Sequence, residues 1–281
     1  MKPVAIVTDS TSDIPAQLAE QLGIHIIPCN VHFAQEVFRD RVDLSLDQFY
    51  EKLASSPQLP KTSQPSVGMF LELYRALEER SSAIVSIHLA GRLSGTLQSA
   101  ALAAQEIHSV PIATIDSGTA SMALGWLAVI AARASERELG FDAIVSMVLA
   151  AIPRVRLLAL LENLDNVIKG GRIGKGAALL GTLLSVKPLI EVKDGEVIPL
   201  EKVRTWLKAQ SRLVDMTQAL GPLDELAVLH THAPHAAQQL ASQLEAIFPR
   251  ERMLIAEAGA VLGTHAGRGA VGVAALLRDS G

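Results

Sequence analysis

Through about residue 150 the chain alternates short β-branched runs with longer segments of helical period. This alternation constrains the fold more than any single motif. "VAIVT" (4–8) reads as a strand, and Asp13 followed by Pro15 starts a helix to Leu22. "IHIIPCNVHF" (24–33) reads as a second strand. "SLDQFYEKLA" (45–54) opens with an S-x-x-Q capping box and sets Leu46, Phe49, Tyr50 and Leu53 on one face. A loop, "SSPQLPKTSQPS", leads to a helix over 67–80. Then come a strand (83–89), a helix from Ser94, a strand (111–116) and a long helix (119–139). Parallel strands need crossover connections, so the pattern predicts a parallel sheet covered by helices on both faces.

The pattern changes after Pro153. "VRLLALLENL" reads as a strand, and "GGRIGKG" (170–176) is a glycine-rich joint. "LLSVKPLIEVKDGEVIPL" reads as two strands around Asp194-Gly195, a strong hairpin signal. A helix (204–220), a strand (225–232), a helix (234–247) and two last strands, "RMLIAEA" and "GAVGVAAL", complete an α+β half with a mixed or antiparallel sheet. The chain therefore divides into 1–150 and 151–281, which suits 281 residues.

Composition narrows the function classes. Apolar residues make up 49% and aromatics only 4%, so the interior must be built from Leu, Ile, Val and Ala. Mean hydropathy is +0.30. The longest apolar run, "ASMALGWLAVIAA" (120–132), stops at Arg133, short of the ~20 residues a spanning helix needs. "MKPVAIVTDS" reads as a first strand rather than a signal peptide. A net charge of −4 provides no footprint for nucleic acid or an anionic membrane. The single cysteine, Cys29, allows no internal disulfide and suits a reducing compartment, so a cytoplasmic location is expected.

Three hydroxyl-rich segments stand out. In "HLAGRLSGTLQSA" (88–100), Ser94, Gly95 and Thr96 sit between a strand and a helix, where free N–H groups and the helix dipole favour an anion. An ordinary N-cap at Ser94 or Thr96 is the alternative. "PKTSQPS" (60–66) offers Thr62, Ser63 and Ser66 on a proline-fixed backbone, or merely a turn and a cap. "TDSTSD" (8–13) carries two acids that would repel an anion, so it reads as turn and cap chemistry supporting the site.

Other matches fail. "GGRIGKG" lacks the P-loop spacing and its Ser or Thr, and "GRGAVG" (267–272) has no following helix and no acidic ribose partner. His230, His232 and His235 in "HTHAPH" have no carboxylate or cysteine at ligand spacing, so no metal is expected. No G-x-S-x-G elbow marks a Ser-His-Asp hydrolase.

"TDSTSDIP", "PKTSQPS", "LSGTLQSA", "DSGTASMALG", "KGGRIG", "LLSVKPLIEVKDGEVIPLEKVR" and "GTHAGRG", in this order, resemble the DegV family over nearly the whole chain. The resemblance implies a Rossmann-like parallel-sheet domain carrying the TSQPS and LSGT loops, joined to a smaller α+β lid domain. It also implies one long-chain fatty acid, of about 16 carbons as in palmitate, bound between the domains. A separate ATP-dependent fatty acid kinase would phosphorylate its carboxylate. Thr62 and Ser94 would then hydrogen-bond the carboxylate. Ser63, the Gly95 and Thr96 backbone and His265 would lie beside it, with Arg172 and Arg204 near the head group or partner face. The family often has Gly-Pro where this chain has Gly267-Arg268, which adds charge there. No cofactor is implied. The alternatives are a small-molecule kinase or phosphotransferase subunit using the same loops for phosphate, and a lipid-sensing regulatory module.

Overall fold

The computed structural model describes residues 3–173 and 186–279. The first half runs β1 (Val4–Asp9), α1 (Ala16–Gln21), β2 (Ile24–Ile27), β3 (Asn30–Phe33), β4 (Glu36–Arg39), α2 (Leu46–Ser55), β5 (Lys61–Ser63), α3 (Val67–Glu78), β6 (Ala83–His88), α4 (Thr96–Ala104), β7 (Ile112–Asp116), α5 (Ser121–Glu136) and α6 (Phe141–Ala151). The second runs β8 (Val155–Leu160), α7 (Asp165–Lys169), β9 (Lys187–Lys193), β10 (Glu196–Val203), α8 (Trp206–Gln218), β11 (Leu223–His230), α9 (Pro234–Leu244), β12 (Leu254–Glu257), α10 (Ala260–Ala266) and β13 (Val271–Leu277).

The expected parallel sheet is present, with strand order β2-β1-β6-β7. The second half forms a six-stranded mixed sheet, β10-β9-β8-β13-β11-β12, in which only β11 and β12 pair in parallel. The chain is thus α/β in its first half and α+β in its second.

One expected strand is two. The run 24–33 splits at Pro28 into β2, on the edge of the parallel sheet, and β3, the centre of an antiparallel sheet ordered β4-β3-β5. Proline offers no N–H to a ladder, and the next N–H, on Cys29, donates to Ser10 Oγ at 3.1 Å instead of to a strand. The loop over 55–66 likewise contains β5, where Thr62 pairs with Val31. The strand β4 and the helices α6, α7 and α10 have no counterpart in the sequence reading. Helix α7 has five residues and α10 seven, too few to display a period. In the glycine-rich joint, Gly174 to Gly176 lie outside the described residues.

The signals that did appear act as expected. Ser45 and Gln48 form the reciprocal capping box of α2. Asp194 (φ +51°) and Gly195 (φ +72°) turn the β9–β10 hairpin with two left-handed residues. The hairpin tip docks onto the first half, where Gly195 N–H donates to Gly118 O at 2.8 Å and Arg92 pairs with Glu196 at 2.6 Å.

The longest apolar run forms α5, and 12 of its 16 residues are buried. It packs between the two large sheets, touching β1 and β6 on one side and β8 and β13 on the other. Trp126 Nε1–H donates to Ala274 O at 3.0 Å, so a first-half side chain satisfies a carbonyl of the second-half sheet. Among the described residues no helix is long and apolar enough to cross a membrane.

Candidate ligand-binding site

In the order β2-β1-β6-β7, the chain leaves β1 towards one edge of the sheet and β6 towards the other. The loops after these two strands diverge and open a crevice at their carboxyl ends, the usual ligand position in an open α/β sheet. "TDSTSD" follows β1, and the Ser94 loop follows β6.

All of Thr8 to Asp13 is buried, and the acids are used internally. Asp9 caps the turn at Thr11 N and accepts from Leu89 N at 3.0 Å, which ties the β1 loop to the end of β6. His88 Nδ1 lies 3.0 Å from Asp9 Oδ2, and its Nε2 lies 2.7 Å from Ser86 Oγ. These three residues stand in the order of a hydrolase triad, yet each is fully buried and none lines the cavity. Tyr74 Oη donates to Ser86 Oγ at 2.8 Å and completes a structural network. Although burial pushes the Asp9 carboxyl up, the His88, Thr11 and Leu89 contacts together hold it below the usual carboxylate range.

Asp13 links the halves. Its carboxylate accepts from Ser121 Oγ at 2.6 Å, from Gly259 N at 2.8 Å and from Arg41 at 3.1 Å. Burial pushes its pKa up to about 6 despite Arg41. Asp40 Oδ1 accepts from Ala260 N at 2.9 Å, so two acids of the first half hold the start of α10.

Between the parallel sheet, the mixed sheet and α10 lies a cavity of about 170 Å³. Its walls are predominantly aliphatic: Leu89 and Leu93 from the first half face Leu157, Ile190, Val192 and Val197 of the mixed sheet. At one place the lining turns polar with Thr62, Ser63, Gln64, Ser94, Gly95, Arg172 and His265.

The polar groups come from four separate segments. Thr62 Oγ1, on β5, lies 3.1 Å from His265 Nε2, on α10. Ser94 Oγ lies 2.9 Å from Thr96 Oγ1 and accepts from Thr96 N at 3.3 Å. Arg172 donates through Nε to Leu93 O at 3.4 Å and through a terminal nitrogen to Gly170 O at 2.6 Å. Burial, reinforced by the Arg172 charge, pushes the His265 pKa down to about 4, so its ring is neutral at pH 7. Its Nδ1 is buried with no hydrogen-bond partner among the described residues. Gly170 makes room for it, since a Cβ there would sit 2.3 Å from that nitrogen.

Of the residues singled out in the sequence, Thr62, Ser63, Ser94, Gly95, His265 and Arg172 line one cavity. Thr96 stands behind Ser94, fully buried, and does not line it. Arg204 is exposed between β10 and α8, away from the cavity. Gln64, Ser121, His230 and Thr231 also line the cavity and were not proposed as ligand contacts. Gln64 lies inside "PKTSQPS", so its motif pointed to it, whereas nothing in the sequence brings Ser121 to His230. Cys29 lines the wall as well, and burial pushes its thiol well above the ordinary range, as expected of an inert cysteine. His230 and His232 lie near Glu257, and among the described residues no group of three metal-type side chains converges.

Comparison with known proteins agrees with this architecture. The model of the DegV family, described as uncharacterised proteins of that family, matches residues 3–278. Protein DegV of Bacillus subtilis is 34% identical over 274 residues, covering 96% of this chain and 98% of that protein. The crystal structure of DegV from Bacillus subtilis, described as a fatty acid binding protein, superposes with a TM-score of 0.90 at 33% identity over 99% of this chain and 100% of that one. A DegV family protein from Thermus thermophilus, whose structure is described as showing fatty acid binding, superposes with a TM-score of 0.91 at 30% identity over 98% of this chain and 100% of that one. With a family match over nearly its whole length and a relative 34% identical over nearly the whole chain, this chain belongs to the DegV family.

Proposed function

We propose that this protein binds one long-chain fatty acid in the cavity. The carboxylate lies against the Thr62, Ser63 and Ser94 hydroxyls and the Gly95 backbone. Thr96 orients the Ser94 hydroxyl, His265 closes the head-group end, and Arg172 supplies the compensating charge. The observation that carries this reading is a mostly aliphatic cavity that brings the hydroxyls of Thr62, Ser63 and Ser94 together with a neutral histidine and an arginine at one end. Relatives described as fatty acid binding support it.

The division of labour follows from magnitudes. At ~0.8 kcal/mol per buried methylene, a tail of about 14 methylenes contributes on the order of 11 kcal/mol before ordering costs. The tail sets affinity and the hydroxyls set orientation. Cys29, the one thiol at the wall, is kept protonated, and no activated nucleophile faces the cavity among the described residues. The chain therefore serves as a carrier. In this reading residues 1–150 supply the head-group loops and 151–281 close over them as a lid. The carrier works in the cytoplasm, holding palmitate or a similar acid and presenting its carboxylate to a separate ATP-dependent kinase that makes the acyl phosphate.

Native mass spectrometry of the purified protein tests the ligand class. One long-chain fatty acid per chain is expected, recoverable by organic solvent. Protein that stays empty when offered fatty acid, or that carries a nucleotide, overturns the reading.

A further inference from the structure

The cavity has a second polar place. His230, Thr231 and Ser121 line it, and they are only 7%, 3% and 3% exposed. A polar group is costly in an aliphatic wall unless something satisfies it.

The hydrogen bonds show which atoms remain available. Ala233 N donates to His230 Nδ1 at 3.3 Å, which makes Nδ1 an acceptor and assigns the ring proton to Nε2. Nε2 has no hydrogen-bond partner among the described residues. Thr231 Oγ1 accepts from Ala270 N at 2.8 Å, and its own O–H faces the Tyr50 oxygen. Ser121 Oγ donates to Asp13 and keeps its lone pairs to accept. One donor, His230 Nε2–H, and one acceptor, Ser121 Oγ, match the needs of a hydroxyl group, which both accepts and donates.

These groups share one stretch of wall. Asp13 takes Ser121 Oγ on one oxygen and Gly259 N on the other, and the neighbouring Ala258 N donates to His230 O at 2.8 Å. The same segment continues into α10, whose last turn carries His265 at the head-group end. That segment enters α10 at Ala260, roughly 8 Å of helix before His265.

Resting on the fatty-acid reading, we propose that His230, Thr231 and Ser121 form a subsite for a hydroxyl on the middle of the acyl chain, so that the cavity accepts mid-chain hydroxy fatty acids.

Competition on the full-length protein tests this. Octadecanoic acid is displaced by hydroxyoctadecanoic acids bearing the hydroxyl at successive carbons from the second to the sixteenth. One central isomer is expected to bind within about threefold of octadecanoic acid. Isomers to either side should be about 5- to 150-fold weaker, the penalty for an unpaired buried hydroxyl. In His230→Leu the ratio of the central isomer to octadecanoic acid, taken within that variant, should fall to the level of its neighbours. His230→Gln, which retains an N–H donor, should restore part of it. A profile without a preferred central isomer, or a preference that survives His230→Leu, overturns the subsite. Octadecanoic acid is the internal control: if it fails to bind, the fatty-acid reading itself is overturned.

Discussion

Thr62, on β5, and Ser94, on the loop after β6, belong to the same half, yet each depends on a residue of the other half. Thr62 gains its histidine partner from residue 265, and Ser94 has the Arg172 guanidinium on the carbonyl just before it. Each hydroxyl can donate one charge-assisted bond to a carboxylate. Ser94→Ala and Thr62→Val should each weaken binding of a long-chain fatty acid by about 1.5–3 kcal/mol. The loss for the matching fatty alcohol should be smaller, because that head group carries no charge. Displacement titrations with both ligands check this, and equal losses would reduce the hydroxyls to caps. The hydroxyl loops were legible because strand, hydroxyls, glycine and helix follow one another in sequence. His230 was not, because its role depends on which of its nitrogens meets Ala233.

Helices α7 and α10 position His265 against a first-half strand, β5. Both are short, and they pack together through a glycine contact at Gly170. Gly170 has φ −74°, so its backbone admits alanine and only space forbids a Cβ. Gly170→Ala should therefore displace His265 and weaken fatty-acid binding by about 1–3 kcal/mol, the usual cost of overpacking. Gly140→Ala, at the N-cap of α6 with φ −71° and nothing within 4 Å of the added atom, should leave binding unchanged and lower the melting temperature only slightly. Binding titrations beside thermal melts separate the two cases. At this scale the sequence revealed elements with a cap, a period or a turn signal, such as α2, α5 and the β9–β10 hairpin, but not the eleven-residue α6. It did not reveal α7 or α10, where glycines and a length of five to seven residues erase the pattern.

Across the whole molecule, α5 joins the two sheets into one core. A single apolar cluster holds Ile6 and Val85 of the parallel sheet, Trp126 and Leu127 of α5, and Leu229 and Leu276 of the mixed sheet. Trp126→Phe keeps most of the ring but leaves Ala274 O without its indole donor. A loss of about 1–3 kcal/mol is expected for that buried carbonyl. It should show as one cooperative transition at lower temperature, because both sheets share the damaged contact. A melt that splits into two transitions would mean that the sheets unfold independently.

The sequence by itself determined the two-part architecture, since strand and helix periods are local and the change after Pro153 is a change of period. It also determined the hydroxyl loops and the family, through motifs whose residues are neighbours in the chain. Only the tertiary structure decided that 24–33 divides between two sheets, because Cys29 N–H finds its acceptor in Ser10, 19 residues away. It alone brought His265 to Thr62 across 203 residues, set Arg172 into the cavity wall and left Arg204 outside. The physical reason is common to these cases: a buried donor or charge goes wherever the packed fold offers a partner, and that partner has no fixed distance along the chain.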